Sequence, residues 1–198
     1  MVYGSAPAAF RRTFPCLDSC STTVPASYTP QSFTEIGGGR VSIGEFSYAP
    51  MEGGAVAPNQ LQNTAVWTIY IGTDVADFVR CATALELGRS GLRVSKDADY
   101  RVDGVVEELK LDDLGYSVDW TYRVRYILER SSDDATIIDA VYSVGPTRTG
   151  KFGLPSDYSP SLNELVLEGI ENFMEDIRAA DVFSAADVGL DEEATPVS

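Results

Sequence analysis

Polar and apolar residues alternate along "SVDWTYRVRYILE", residues 117–129. Val118, Trp120, Tyr122, Val124, Tyr126 and Leu128 fall on one side, and Asp119, Thr121, Arg123, Arg125 and Glu129 on the other. A period of two sustained over this length predicts a long antiparallel strand with one face packed and the other in water. "RSSDD" then closes a hairpin into "ATIIDAVYSVG", where Ile138, Ala140, Tyr142 and Val144 alternate again. Upstream, "ADYRVDGVVEELKL" is a strand that changes face. Tyr100, Val102 and Val106 share one side while Val105, Leu109 and Leu111 share the other, which predicts a bulge, or burial on both sides, near Gly104. "LDDLG" is the turn between these two strands.

The period lengthens at Asp74. Val75, Phe78, Val79, Ala82 and Leu85 recur at three- and four-residue spacing, so residues 74–87 form an amphipathic helix capped by Asp74 and ended by Gly88 or Gly91. A second helix covers 161–178 with a broad stripe of Leu162, Leu165, Val166, Ile170, Phe173, Met174 and Ile177. It starts either at a Ser161/Glu164 capping box or at Ser159 with Pro160 behind it.

The remaining segments are shorter. "RVSIGEFSY" is a first strand with Val41 and Ile43 on one face and Phe46 and Tyr48 on the other, after a bulge at Gly44. "APMEGGAVAPNQLQN" is a long loop, "TAVWTIYIG" a short strand or extended cover, "LRV" a short link, and "PTRTGKFGLPSDY" a loop. This order predicts an α+β fold: a two-layer sandwich, with a mostly antiparallel sheet and two helices on one face. Residues 1–37, with Pro7, Pro15, Pro25 and Pro30 among Ser, Thr and Ala, form a flexible N-terminal tether. Residues 38–183 form a single α+β domain, and 184–198 an acidic mobile tail.

Composition narrows the chemistry. The chain has 198 residues, enough for one domain, and 44% are hydrophobic. Fifteen Lys and Arg against thirty Asp and Glu give a net charge of −15, which opposes binding to nucleic acid or anionic lipid. There is no histidine, so His-based triads, His metal ligands and the common neutral-pH proton switch are all excluded. No run approaches the roughly eighteen apolar residues of a membrane-spanning helix. The opening "MVYGSAPAAFRRTFPC" likewise has no continuous apolar stretch of the kind a secretory signal carries. Cys16 and Cys20 lie in the Pro- and Ser-rich lead, and Cys81 beside a helix stripe is expected to be a buried thiol.

The acidic pairs Asp112/Asp113 and Asp133/Asp134 fall in solvated turns, where nothing raises a carboxyl group into the general-acid range. "GGGRVSIG" and "GPTRTGKFG" lack the strand-to-helix setting of a phosphate loop. A cleft gathering Asp112, Tyr116 and Lys151 is the arrangement an enzyme would need. The expectation is a protein without catalytic residues, cofactor or metal. Its candidate interaction surface comprises Arg123, Arg125, Arg148 and Lys151, with the aromatic ledge of Trp67 and Tyr70.

Three stretches carry a resemblance: "IGTDVADFVRCATALELGRSGLRV", "ADYRVDGVVEELKL" and "SLNELVLEGIENFMEDIRAADVF". With the long hairpin between the last two, residues 39–183 resemble the YajG-type family of bacterial lipoproteins. The auxiliary lipoproteins of lipid-transport ABC systems resemble the same layout. The first resemblance implies a noncatalytic cell-envelope accessory or assembly protein on the periplasmic side. It implies lipid anchoring to the outer membrane through Cys20 of "LDSC" and binding to a protein partner. The second implies a component of a lipid or small-molecule transport system, with an apolar binding pocket. Apart from the resemblance, the first and third hairpin strands leave an edge open to pairing, which allows a homo-oligomer.

Overall fold

The computed structural model describes residues 27–64, 68–112, 115–150 and 158–183. β1 (Gly39–Tyr48) leads into a one-turn helix α1 (Ala49–Glu52) and a two-residue strand β2 (Gln62–Asn63). α2 (Val75–Arg89) and β3 (Leu92–Val94) come next. The long strands β4 (Tyr100–Asp112), β5 (Ser117–Arg130) and β6 (Ala135–Gly150) precede α3 (Ser159–Ala179).

The sheet runs β3-β1-β4-β5-β6, with β2 also paired to β4. β4, β5 and β6 are antiparallel neighbours, as short turns require. β1 pairs parallel to both β3 and β4, and β2 pairs parallel to β4. The expected two-helix sandwich with a mostly antiparallel sheet is therefore corrected to a sheet-dominated α+β fold with a mixed sheet and, among the described residues, three helices. Part of the cause is the connection to β3: the chain passes through α2 before β3 joins the sheet, and a helical crossover returns that strand parallel to β1. α1 escaped the sequence because its Pro50 sits in the first turn, where proline is tolerated, next to Gly53 and Gly54, so the stretch reads as loop.

Two bulges gather the core onto one face. Between Ile43 and Phe46 the β1–β4 register shifts, so Phe46 and Tyr48 pair with Gly104 and Val106 on the same side as Val41 and Ile43. They do not lie on the opposite face. Between Val106 and Glu108 the β4–β5 register shifts too, and Leu109 and Leu111 join Tyr100, Val102 and Val106 in the interior. The expected bulge is present beyond Gly104, but it leaves Val105 on the outer face and brings Leu109 and Leu111 onto the same face as Tyr100. Against this face lie α2 and α3. Tyr126 touches both: its Oη lies 3.0 Å from Thr83 Oγ1 of α2, and its ring stacks on Phe173 of α3 at 4.5 Å. The interior they close over includes Trp120, Tyr122, Leu128 and Met174, each no more than 1% exposed.

Residues at the end of the expected tether dock on α2. Tyr28 is buried and meets Phe78 edge-on, and Ile36 N–H donates to Ser90 C=O at 3.0 Å. β6 continues through Thr147–Gly150, which the sequence reads as loop, because Thr147, Arg148 and Thr149 still pair with Trp120, Asp119 and Val118.

Candidate functional site

The face of the sheet opposite the helices is built by the same alternation that buries Trp120 and Tyr122. Register places Arg101 beside Glu129, Arg125 between Val105 and Val141, and Asp119 beside Arg148. Each arginine closes on a carboxylate. Arg101 reaches Asp103 at 2.8 Å and Glu129 at 2.6 Å, and Arg123 reaches Glu107 at 2.8 Å. Arg125 grips Asp139 with two bonds of 2.6 Å, and Arg148 grips Asp119 at 2.6 and 2.9 Å. Hydrogen bonding from these guanidinium groups holds the Asp119 and Asp139 carboxyls below the ordinary aspartate value. The result is a half-exposed, charge-paired face.

Of the candidate surface residues, Arg123, Arg125 and Arg148 are brought together here. Tyr70 is not. It is 53% exposed, pairs with Gln60, and lines a recess with Leu61, Ile69, Trp120, Tyr158 and Leu162 at the margin of the helical layer. Trp67, Lys151 and Cys20 lie outside the described residues.

That recess holds about 20 Å³, the room of a single water, whereas pockets for small molecules occupy roughly 300–1,000 Å³. This recess is therefore too small for the apolar ligand expected of a transport component; aromatic side chains fill the space around it. Tyr116 is fully exposed and Asp112 accepts from Thr64 Oγ1 at 2.7 Å on the sheet surface, so these two assemble no cleft. Among the described residues no group of three or more His, Cys, Asp or Glu converges as a metal site, and no catalytic constellation is present. Cys81 is buried. None of the described helices is long and apolar enough to cross a membrane.

Two features were missed by sequence reasoning. Glu86 is wholly buried and accepts hydrogen bonds from Tyr28 Oη, Gln31 N–H and Ser32 N–H at 2.6, 2.9 and 3.2 Å. The signal was present: 86 is the stripe position four after Ala82, and a charge stands there. The second is the asymmetry of the sheet's ends, β3 with three residues at one and β6 with sixteen at the other.

No family model matches the sequence, and no curated protein matches it. The YajG-type resemblance thus reduces to a fold shared with distant bacterial structures. Protein XCC0632 from Xanthomonas campestris (DUF330) superposes with a TM-score of 0.54 at 12% identity, covering 75% of this chain and 94% of that one. The hypothetical protein CT253 from Chlamydia trachomatis gives 0.49 at 10% identity, covering 72% and 97%. Lipoprotein GNA1162 from Neisseria meningitidis gives 0.39 at 12% identity, covering 68% and 99%. At these identities the first likeness is one of fold alone.

Proposed function

We propose that the chain is a noncatalytic accessory protein of the bacterial cell envelope that works by binding another protein. The observation that supports this most directly is the sheet itself. One face is sealed by two helices over a filled interior, while the other face and one long strand carry no covering element among the described residues. A domain whose recess between sheet and helices holds only a water's volume, and which leaves an extended sheet surface open among the described residues, is suited to docking. The envelope setting rests on the resemblance of residues 39–183 to YajG-type lipoproteins. Cys20 is the proposed lipidation site, with attachment on the periplasmic side of the outer membrane. Arg123, Arg125 and Arg148 contribute to the proposed surface by exchanging their intramolecular carboxylates for those of a partner; Lys151, Trp67 and Tyr70 extend the proposal beyond that face.

The test is photo-crosslinking of the full chain in the native envelope, with a photoreactive residue at Thr121 on the outer face or at Val141 on β6. One discrete heterologous adduct is expected. Recovery of uncrosslinked protein only, from both positions, would sink the proposal.

A further inference from the structure

β6 and α3 together specify what kind of segment the domain can bind. Over Thr136–Val144, β6 contains no proline and no lysine. Its one charge, Asp139, is tied back to Arg125 by two bonds of 2.6 Å. Natural sheets shield their edges by shortness, lysine, proline or inward-pointing charge. β3 is shielded by shortness, with three residues. The first part of β6 has none of these devices; Pro146 protects only the C-terminal end of the strand. No described strand pairs with its far side, leaving backbone donors and acceptors over about 30 Å at ~3.4 Å per residue. Val141, midway, is 47% exposed.

α3 decides the charge of the occupant. Tyr142 Oη of β6 donates to Asp176 at 2.6 Å, which marks the flank of α3 that faces the edge. Asn172 and Glu168 precede Asp176 at four-residue intervals and stay within about 80° of it around the helix, as a row along that flank. Glu168 and Asp176 are exposed. A strand added to β6 lies beneath this row, so its helix-side residues meet carboxylates. A second copy of a chain with a net charge of −15 would instead bring two acidic rows together.

We infer that Thr136–Val144 is a docking edge for an extended, basic segment of a partner protein, which adds to the sheet as a further strand with Lys or Arg turned towards α3. The inference rests on the partner-binding reading above and assigns it a place and a chemistry.

The probe is a capped synthetic peptide alternating Lys and Val, compared with its Glu and Val counterpart, titrated into the full chain by fluorescence anisotropy. The Lys peptide binds, the Glu peptide does not, and hydrogen exchange slows at the amides of 136–144. Val141→Lys, which supplies the missing edge device, and Glu168→Lys each weaken binding by about tenfold or more while remaining folded. Equal binding by both peptides, indifference to Val141→Lys, or protection confined to other strands overturns the inference. So does a concentration-dependent dimer that Val141→Lys abolishes, because the occupant is then a second copy. In the envelope crosslinking, an adduct at Thr121 without one at Val141 removes the edge and leaves the partner reading standing; adducts at neither position remove both.

Discussion

Tyr28 Oη donates to the Glu86 carboxylate at 2.6 Å across 58 residues of sequence, and both side chains are buried. The bond latches an extended N-terminal segment to α2. Arg89 strengthens the latch: its Nε donates to Ser32 C=O at 2.7 Å, and its guanidinium lies 5.5 Å from the centre of the Phe33 ring. At the start of α3, Asn163 Nδ2 donates to Ser27 C=O at 3.2 Å. The segment thus spans both helices.

A buried carboxylate stripped of a donor keeps its desolvation penalty, and hydrogen bonds to charged groups contribute about 1.5–3 kcal/mol each. Tyr28→Phe should therefore destabilise the fold by about 1–3 kcal/mol in urea denaturation. Glu86→Leu, which also orphans the Gln31 and Ser32 amides, should destabilise more than Glu86→Gln. A chain beginning at Thr34 with unchanged stability would show that the latch contributes nothing.

Alkaline pH should weaken the fold before any surface group matters. Burial pushes Tyr48 and Tyr126 up from 10.0 to about 12. Burial also holds Tyr122 well above the ordinary value, and it raises Tyr28 and Tyr142 with added help from Glu86 and Asp176. The folded-state value exceeds the unfolded one, so the contribution is complete below about pH 10 and is lost as pH rises towards the folded value. Above about pH 10 the unfolded chain releases protons that the folded chain retains, and stability falls by ~1.4 kcal/mol per pH unit for each such tyrosine. The urea midpoint should drop between about pH 9 and about pH 11, with phenolate absorbance from these residues rising only as the chain unfolds. An unchanged midpoint would contradict the burial argument.

How much of this was legible depends on which interactions are local. The alternation on β5 and the stripe on α3 were readable because each records a single solvent boundary along one element. The parallel pairing of β1 was not, since direction depends on the whole connection between strands. The two bulges were signalled, at Gly44 and near Gly104, but not their effect, which keeps Phe46, Tyr48, Leu109 and Leu111 on the core side. Arg125 and Arg148 were visible as charges on a wet face, but their partners Asp139 and Asp119 lie on neighbouring strands and become neighbours only through register. Glu86 lay hidden because its donors come from the Pro-rich lead, a composition that signals no packed element.

Two helical glycines should respond to alanine with opposite signs. Alanine ordinarily stabilises an exposed helix by about 1 kcal/mol relative to glycine. In α3, however, a Cβ on Gly169 would lie 2.7 Å from Tyr122 Cε1 in the closed interior, so Gly169→Ala should destabilise by about 1–3 kcal/mol. In α2, Gly88 has its nearest neighbour, Val94 Cγ2, at 3.9 Å, and Gly88→Ala should stabilise by about 0.5–1 kcal/mol. Thermal melts of both variants check the close approach of α3 to β5; equal shifts of one sign would refute it.

The pairing on the outer face should be worth little to folding. Arg125 and Asp139 are 43% and 40% exposed, so solvent and salt screen their attraction despite its two-bond geometry. A double-mutant cycle of Arg125→Ala and Asp139→Ala should give a coupling of about 0.2–1 kcal/mol that shrinks as salt is added. Coupling well above that range would mark the pair as structural and make it a poor candidate for exchange with a partner's carboxylate.

The acidic row on α3 should prove a liability to the isolated domain. Glu164 and Glu168, and Glu171 and Glu175, are like charges four residues apart, and such pairs destabilise a helix by about 0.2–0.5 kcal/mol each. Glu168→Lys removes the first repulsion and places a cation four residues after Glu164, the favoured order for an ion pair. Its melting temperature should rise. The same substitution turns one carboxylate of the proposed basic-strand cradle into a repulsive charge, so binding of the Lys and Val peptide should fall while stability increases. A variant that gained stability and bound the peptide as tightly as the parent would separate the acidic row from recognition, leaving β6 to act through its backbone and Val141 alone.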